Sequence, residues 1–379
     1  MPMPLSGPGA VLDLIRSGQA TTRKELIDAL GWSRVTLARR LDELVGTGLV
    51  VGVDSSGGGL GRPPQEFQLA KDAGLILAIN VGSSQTRIGV TDLAGGVLKS
   101  ADAEIGLYSG PDEVLDWAVQ VLDFLLTSLG HSRADVRAVG IGVPGAVNPA
   151  SPGRARGEAG WNHSYPIEFM RKAGFEAVVA VDRDVNMLAR GESRLGWPAC
   201  ENLIVVKVGM GVGVAFVFGG RVYGGARGGT GRLCAPFVDR NEPWHDLETV
   251  ASGGVVRDRL AERGITATTS GQIVALAQAG DYDTLALLDE VGEDLGAALG
   301  RLAGSLNPDA VIIGGTLAQS GERFIGAIRA GIISHVLPFT RRGMIIERGR
   351  LGIQGGVRGA ALAAQDALFD IDQVNKRFR

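Results

Sequence analysis

The sequence predicts an α/β protein in two unlike parts: a small N-terminal module of helices and a hairpin, and a larger body of strands and glycine turns. Three observations predict it. Apolar residues recur at helical spacing up to about Val45 and cease to do so near Gly74. Beyond Gly74, apolar runs suited to buried strands alternate with glycine-rich turns. Glycine is abundant, 58 residues of 379, yet lies in short motifs rather than one tract, which suits turns and not disorder.

The module is read in order. Val11, Leu12, Leu14 and Ile15 predict a short first helix ending at Ser17-Gly18. Thr22-Arg23-Lys24-Glu25 matches a capping box, in which the Thr hydroxyl accepts from the third helical N–H and Glu25 reaches back. Leu26, Ile27 and Leu30 give the apolar face of that second helix, and Gly31 breaks it. Ser33 caps a third helix from about Arg34 to Val45, with Leu37, Leu41 and Leu44 on one face. Leu49 to Val53 and Phe67 to Leu69 predict two short strands around a Gly-rich loop, a wing.

Helix, tight turn and Ser-capped helix form the helix-turn-helix pattern. The polar face of the third helix carries Arg34, Thr36, Arg39 and Arg40 beside the cap Ser33. Donors near a helix N-terminus are what a major-groove reader needs. Arg62, near the wing tip, is positioned for the minor groove. The expected partner is therefore duplex operator DNA. Acids and bases balance over the first 70 residues, so the competing reading is a helical interaction module with merely solvated charges. Clustering of the bases on one helix and the wing favours DNA.

Composition excludes several classes. Net charge is −3, so any DNA contact must come from a local patch. Two cysteines, Cys200 and Cys234, make no disulfide framework and too few ligands for a Cys-rich zinc site. No apolar run approaches the ~18 residues of a membrane helix. Residues Met1 to Ala10 lack the pattern of a signal peptide. The expected location is the cytoplasm, with no membrane partner.

In the body, Leu75 to Val81 is a buried strand leading through Gly82-Ser83-Ser84 into a second, Thr86 to Val90. Ala138 to Val143 runs into Pro144-Gly145, and Ala177 to Val181 into Asp182-Arg183-Asp184-Val185-Asn186. Leu203 to Val208 meets Gly209-Met210-Gly211-Val212-Gly213, and Asn307-Pro308-Asp309-Ala310 precedes Val311 to Gly315. Strand, Gly-rich turn, strand, repeated in two halves, is how two lobes grip a ligand in their cleft. Glycines let the backbone approach phosphate and its N–H groups cradle oxygens.

Together with the winged module, these residues resemble the ROK family of repressors, open reading frames and kinases. The supporting matches are Gly140 to Gly145, Gly160-Trp161, Asp184 with Asn186, Gly191-Glu192, Gly209 to Gly213, Gly225-Ala226, Leu247-Glu248, Asn307-Pro308-Asp309 and Gly314-Gly315. Family repressors also carry a wing ending as Gly61-Arg62-Pro63 does here. The resemblance implies a winged helix-turn-helix over 1–72, then a two-lobed actin-like ATPase (ribonuclease-H-like) ROK domain over 73–379. Its first lobe would span about 73–192 plus the C-terminal helix, its second about 193–350.

Departures from the family pattern carry the functional expectation. The family's sugar kinases open their phosphate hairpin with Asp, Gly, Gly, Thr, where this chain has Asn80, Gly82, Ser83 and Ser84. Asn is a poorer ligand for a hard cation. Met210 replaces the hydroxyl residue of the second phosphate loop, with Lys207 just before it. Asp184 matches the family's general base. The family zinc site resembles a His followed by a Cys cluster; here the His position is Ala235 and no Cys follows Cys234, so no metal or other cofactor is expected. His245 and Asp246 are adjacent and make a poor chelate.

The resemblance places the effector site at Trp161, Asn162, Arg183, Asp184, Arg232 and Glu248. Two arginines, Arg183 and Arg232, stand where the family has an amide and an acid. They point to an anionic effector such as a sugar phosphate or sugar acid, since Arg offers bidentate donors. The opposing reading is a decayed site in which Arg232 pairs with Asp184 or Glu248. The expected protein is a regulator, most simply a repressor, acting as a homodimer or dimer of dimers without kinase activity. The alternatives are a ROK sugar kinase with an added DNA module, and an effector-independent scaffold in which the body only dimerises.

Overall fold

A computed structural model describes residues 7–54, 65–145, 161, 163–226, 228–235 and 245–378. Helix α1 (Gly7–Ser17) starts earlier than the apolar spacing predicts and buries Val11, Leu12, Leu14 and Ile15. Helix α2 (Arg23–Leu30) is opened by the capping box, with Thr22 Oγ1 accepting from Glu25 N at 3.3 Å and Glu25 Oε2 accepting from Thr22 N at 2.9 Å. It closes at Gly31, whose φ of 68° is the left-handed cap that glycine adopts without strain. Helix α3 (Arg34–Gly46) is capped by Ser33 and buries Leu37, Leu41 and Leu44 against α1 and α2. Strands β1 (Val50–Asp54) and β2 (Gln65–Leu69) pair antiparallel, Val50 opposite Leu69. The loop between them, with Arg62, lies outside the described residues.

The body repeats one topology twice. In the first lobe β3 (Leu75–Val81), β4 (Thr86–Asp92) and β5 (Val97–Ala103) form an antiparallel meander. Helix α4 (Pro111–Ser128) then crosses the sheet to β6 (Val136–Val143), parallel to β3. Helix α5 (Ser164–Lys172) leads to β7 (Val178–Arg183), parallel to β6. The sheet order is β5-β4-β3-β6-β7. Its centre is apolar on both faces, as a covered sheet requires.

Helix α6 (Asp184–Gly191), extended by a π-turn over Glu192–Gly196, carries the chain to the second lobe. There β8 (Leu203–Val208), β9 (Val212–Phe218) and β10 (Arg221–Tyr223) form the second meander. The two-residue strands β11 (Cys234–Ala235) and β12 (His245–Asp246) pair beside it. Helices α7 (Gly253–Glu262), α8 (Ser270–Gln278) and α9 (Tyr282–Leu306) precede β13 (Ala310–Gly314), which lies parallel to β8. Helices α10 (Glu322–Ser334) and α11 (Pro338–Arg341) lead to β14 (Ile345–Arg348), parallel to β13. The order β10-β9-β8-β13-β14 reproduces that of the first lobe.

Helix α12 (Gly355–Leu368) then returns to the first lobe and packs on β3, β6, β7 and α6. The contact is at backbone level: a Cβ on Gly140 would collide with the Ala360 carbonyl, and one on Gly359 with that of Met187. Helix α13 (Ile371–Lys376) packs on α1, and Gly9 N donates to Asn375 Oδ1 at 2.9 Å. One apolar cluster therefore runs from Leu12, Leu41 and Phe67 through Ile76 and Ala360 to Phe369 and Val374. The N-terminal module and the first lobe share that core.

A charged clasp reinforces this junction. Asp366 on α12 accepts from Arg16 of α1 at 3.2 Å, from Arg190 of α6 at 2.9 Å, and twice from Arg194 at 2.8 Å. Burial alone would raise this carboxyl; Arg194, Arg190 and Arg16 together take it below its ordinary 3.8. A depressed native pKa gives stability that is complete above the ordinary value and is lost as pH falls through the lower one. The stability difference between the parent and Asp366→Asn is thus expected to be wide at neutral pH and to shrink below about pH 4. Urea unfolding at several pH values measures it; a difference that stays constant would rule the clasp out as the cause.

Candidate functional site

Two surfaces present chemistry. On the N-terminal module, the capping geometry spends the first hydroxyls locally: Ser33 Oγ accepts from Thr36 N at 3.1 Å and lies 2.9 Å from Thr36 Oγ1. Arg34 and Thr36 are exposed at the helix start. Arg39 keeps 65% of its side chain exposed, with its nearest acid, Glu43, at 4.0 Å. Arg40 instead turns to Glu43 at 2.9 Å and is only 25% exposed, so its fork is engaged within the helix. Val35, which periodicity alone passes over, is 81% exposed between Arg34 and Thr36. A bare valine at the tip of a helix among cationic and hydroxyl groups is an apolar probe of the kind that meets a thymine methyl.

The second surface is the cleft between the lobes. It is lined from the first lobe by Asn80, Gly82 to Gln85, Arg87, Gly145, Arg183 and Asp184, and from the second by Lys207, Gly209 to Gly213, Arg232, Asp246 and Glu248. The β3–β4 turn is tight, with Gly82 N donating to Gln85 O at 2.8 Å. The loop after β8 is tied by Gly209 N to Gly211 O and by Gly253 N to Gly209 O, each at 2.9 Å. Backbone amides of both turns thus border the same cleft.

Asp184, the first residue of α6, forms an ion pair with Lys207 on β8 across the cleft. The two side chains are only 14% and 21% exposed. An acid so held is already neutralised by an internal cation. Asn80 is 8% exposed and its Oδ1 has no hydrogen-bond partner. Arg87 faces Asn80 in register on β4, donates to Gln85 Oε1 at 2.6 Å, and leaves its buried Nε without a partner. Burial depresses the Arg87 guanidinium, opposed by Asp102; an arginine stays charged regardless.

The sequence-predicted effector residues divide. Asp184, Arg183, Arg232 and Glu248 do line one cleft. Arg183, however, donates through Nε to Gly145 O at 3.0 Å and through a terminal nitrogen to Thr230 O. It braces loops of both lobes while lining the cleft. Arg232 sits on the rim, 57% exposed, and pairs with Asp246 at 3.7 Å rather than with Asp184 or Glu248. Glu248 accepts from Val212 N at 2.9 Å. Burial raises its carboxyl, the Val212 amide opposes this, and Asp246 adds to it. Trp161 is 5% exposed inside the first-lobe core and does not line the cleft. Asn162 lies outside the described residues. Sequence reasoning missed Arg87, although a single base in the otherwise uncharged run Thr86 to Thr91 was a signal for it.

The zinc ligands of the family pattern are not reproduced. Ala235 pairs with His245, and Cys234 with Asp246, on β11 and β12. Among the described residues no group of three or more His, Cys, Asp or Glu is placed to hold a metal. The residues present do not fit a tetrahedral site. Also among the described residues, no helix is long and apolar enough to cross a membrane.

Comparison with known proteins adds the following. The model of the ROK family matches residues 76–367. A xylose repressor of Caldicellulosiruptor bescii is 23% identical over 341 residues, 84% of this chain and 85% of its own. A glucokinase of Halalkalibacterium halodurans is 24% identical over 307 residues, 75% of this chain and 92% of its own. Among solved structures, a ROK family transcriptional regulator described as a homologue of the E. coli MLC protein superimposes with a TM-score of 0.76 at 23% identity, covering 97% of both chains. A ROK family glucokinase from Streptomyces griseus, in complex with glucose and AMPPNP, gives a TM-score of 0.64 at 22% identity and covers 77% of this chain and 100% of its own.

Proposed function

The chain belongs to the ROK family, and from that premise we propose that it is a DNA-binding transcriptional repressor whose body senses an anionic sugar derivative and does not transfer phosphate. The observation that carries the reading is helix α3, which presents Arg34, Val35, Thr36 and Arg39 to solvent while Leu37, Leu41 and Leu44 anchor it. The fold comparison supports it. A glucokinase is accounted for in full by 77% of this chain, whereas the regulator fold accounts for 97%. The family model begins at residue 76, which supports a winged module proposed over 1–72 and joined to a ROK domain over 73–379.

Several features argue against catalysis. Asn80 stands at the metal-binding position, Met210 at the hydroxyl position, and Asp184 is held by Lys207. Lys207 thus occupies the carboxylate that the family pattern assigns to the general base. Arg87 of the first lobe and Lys207 of the second, the latter paired with Asp184, line the same cleft. Both lie beside the amides of the Gly82 turn, which suits a phosphate or carboxylate on a sugar-sized ligand. In this reading Arg87 joins Arg183 and Arg232, the arginines named from the sequence, as a candidate donor to the anion.

In the mechanism, two copies place their α3 helices in adjacent major grooves about one helical turn apart. Ligand binding changes the angle between lobes. Because the module shares its core with the first lobe, its position follows that lobe. The ligand shifts the DNA equilibrium by its differential affinity for the two arrangements. The reading goes with a cytoplasmic location.

The test is selection of duplexes from a random library by the full chain, followed by anisotropy titrations. A two-fold symmetric site is expected, and Arg34→Ala or Arg39→Ala is expected to weaken it by about 1–3 kcal/mol. Val35→Ser is expected to cost about 1 kcal/mol on the selected site and nothing on a scrambled duplex. An unselective pool, together with ADP release on a sugar panel, would replace this reading with a kinase. Calorimetry with neutral sugars, sugar acids and sugar phosphates tests the effector. Preference for a neutral sugar, unaffected by Arg87→Ala, would exclude the anionic class.

A further inference from the structure

A second cleft lies away from the Asp184 cleft, where the end of α6 meets the edge strand of the second lobe. It is lined by Arg190, Arg194, Gly220, Arg221 and Val222. Three guanidinium groups line it and no acid does. The nearest carboxylates are already committed. Asp366 is shared among Arg190, Arg194 and Arg16, and Asp182 stands 3.9 Å from Arg190. Arg221 has no ion pair among the described residues. The Nε of Arg190 is buried without a hydrogen-bond partner. The unsatisfied buried donor carries a desolvation cost that an anion would relieve, and the exposed Arg221 guanidinium is uncommitted beside it.

We propose that Arg190, Arg194 and Arg221 form a binding site for a phosphate group, either the free ion or the monoester of a small metabolite. The geometry selects the class. The three forks come from two directions, Arg190 and Arg194 from α6 and the π-turn that extends it and Arg221 from the edge strand of the second lobe. A tetrahedral dianion offers oxygens to all of them, whereas a carboxylate offers two on one side. The bound anion joins the lobes at a point separate from the main cleft. It also competes with Asp366 for Arg190 and Arg194, so its binding reaches the clasp that holds Arg16 of the N-terminal module.

Isothermal calorimetry on the full chain, at fixed ionic strength, compares inorganic phosphate, glucose 6-phosphate and chloride. The expected result is binding of phosphate but not chloride, weakened about tenfold or more in Arg221→Ala, the loss of one charge-assisted pair. Arg221 makes no ion pair and lies on an exposed edge strand, so this variant is expected to fold. Tighter binding of glucose 6-phosphate, lost in the same variant, assigns the site to a monoester; equal binding assigns it to the free ion. Lys207→Met is the control for the main cleft. Phosphate binding that survives Arg221→Ala, or that disappears in Lys207→Met alone, overturns the proposal. So does an Arg221→Ala variant that loses affinity for duplex DNA with its phosphate binding unchanged, because Arg221 would then be a contact for the DNA backbone.

Discussion

Asp184→Ala is expected to destabilise the protein by about 2 kcal/mol, and Asp184→Ala/Lys207→Met to recover most of that loss. The single change leaves the Lys207 ammonium in the cleft with its partner gone. Removing one member of a buried pair costs about 3–5 kcal/mol when the other stays charged and dry. Here the side chains keep 14% and 21% exposure and the cleft opens to water, so the smaller figure applies. Replacing both partners removes the stranded charge together with the pair, and Met roughly matches the length of Lys. Urea midpoints of the two variants and the parent decide it. A single variant as stable as the parent would mean the pair contributes nothing, and would reopen Asp184 as a free base. In the effector titrations, the same single variant separates an acid that binds sugar hydroxyls from one that only positions Lys207.

The larger structural effect is expected where α12 meets β6 and α6. Gly140→Ala or Gly359→Ala is expected to cost about 3 kcal/mol or more, enough to empty the soluble fraction of a protein of ordinary stability. Each added methyl would enter the space of a carbonyl oxygen, Ala360 O in one case and Met187 O in the other. These are backbone atoms, so no side-chain rotation relieves the clash, and the helix must back away from the sheet along its length. That separation would open the cluster shared by Ile76, Ala360, Leu12 and Leu41, so the module that carries α3 should loosen with it. Thermal midpoints and soluble yield report the effect. A midpoint within about 2 °C of the parent in both variants would refute the close contact.

The elements with a local cause were legible in the sequence. The capping box at Thr22, the Gly31 stop, the Ser33 cap and the leucine face of α3 stand where residue types and spacing put them. So does the run Leu75 to Val81. The Gly-rich turns were legible too, and they do border one cleft. What was not legible was pairing between distant segments. Arg183 and Arg232 look alike in the sequence, yet one is locked to carbonyls of two loops and the other idles on the rim. Lys207 and Asp184 meet only because β8 and α6 belong to different lobes brought face to face. The Asp366 clasp joins residues about 350 positions apart, beyond the reach of any periodicity. Val35 was passed over because apolar residues are sought in cores, while its exposure depends on which face of α3 is covered.

The seating of α13 on α1 also has a bearing on when the protein becomes competent. Gly9 and Asn375 are hydrogen-bonded across 366 residues of sequence, so α1 gains this partner only when a very distant segment has found its place. Loop-closure entropy over such a span falls late in folding. In pulse-labelled hydrogen exchange during refolding, α1 should gain protection together with α13 and not before it; earlier protection would show a module that assembles independently. If the two do coincide, the module that carries α3 acquires its full support only when α13 has docked on α1.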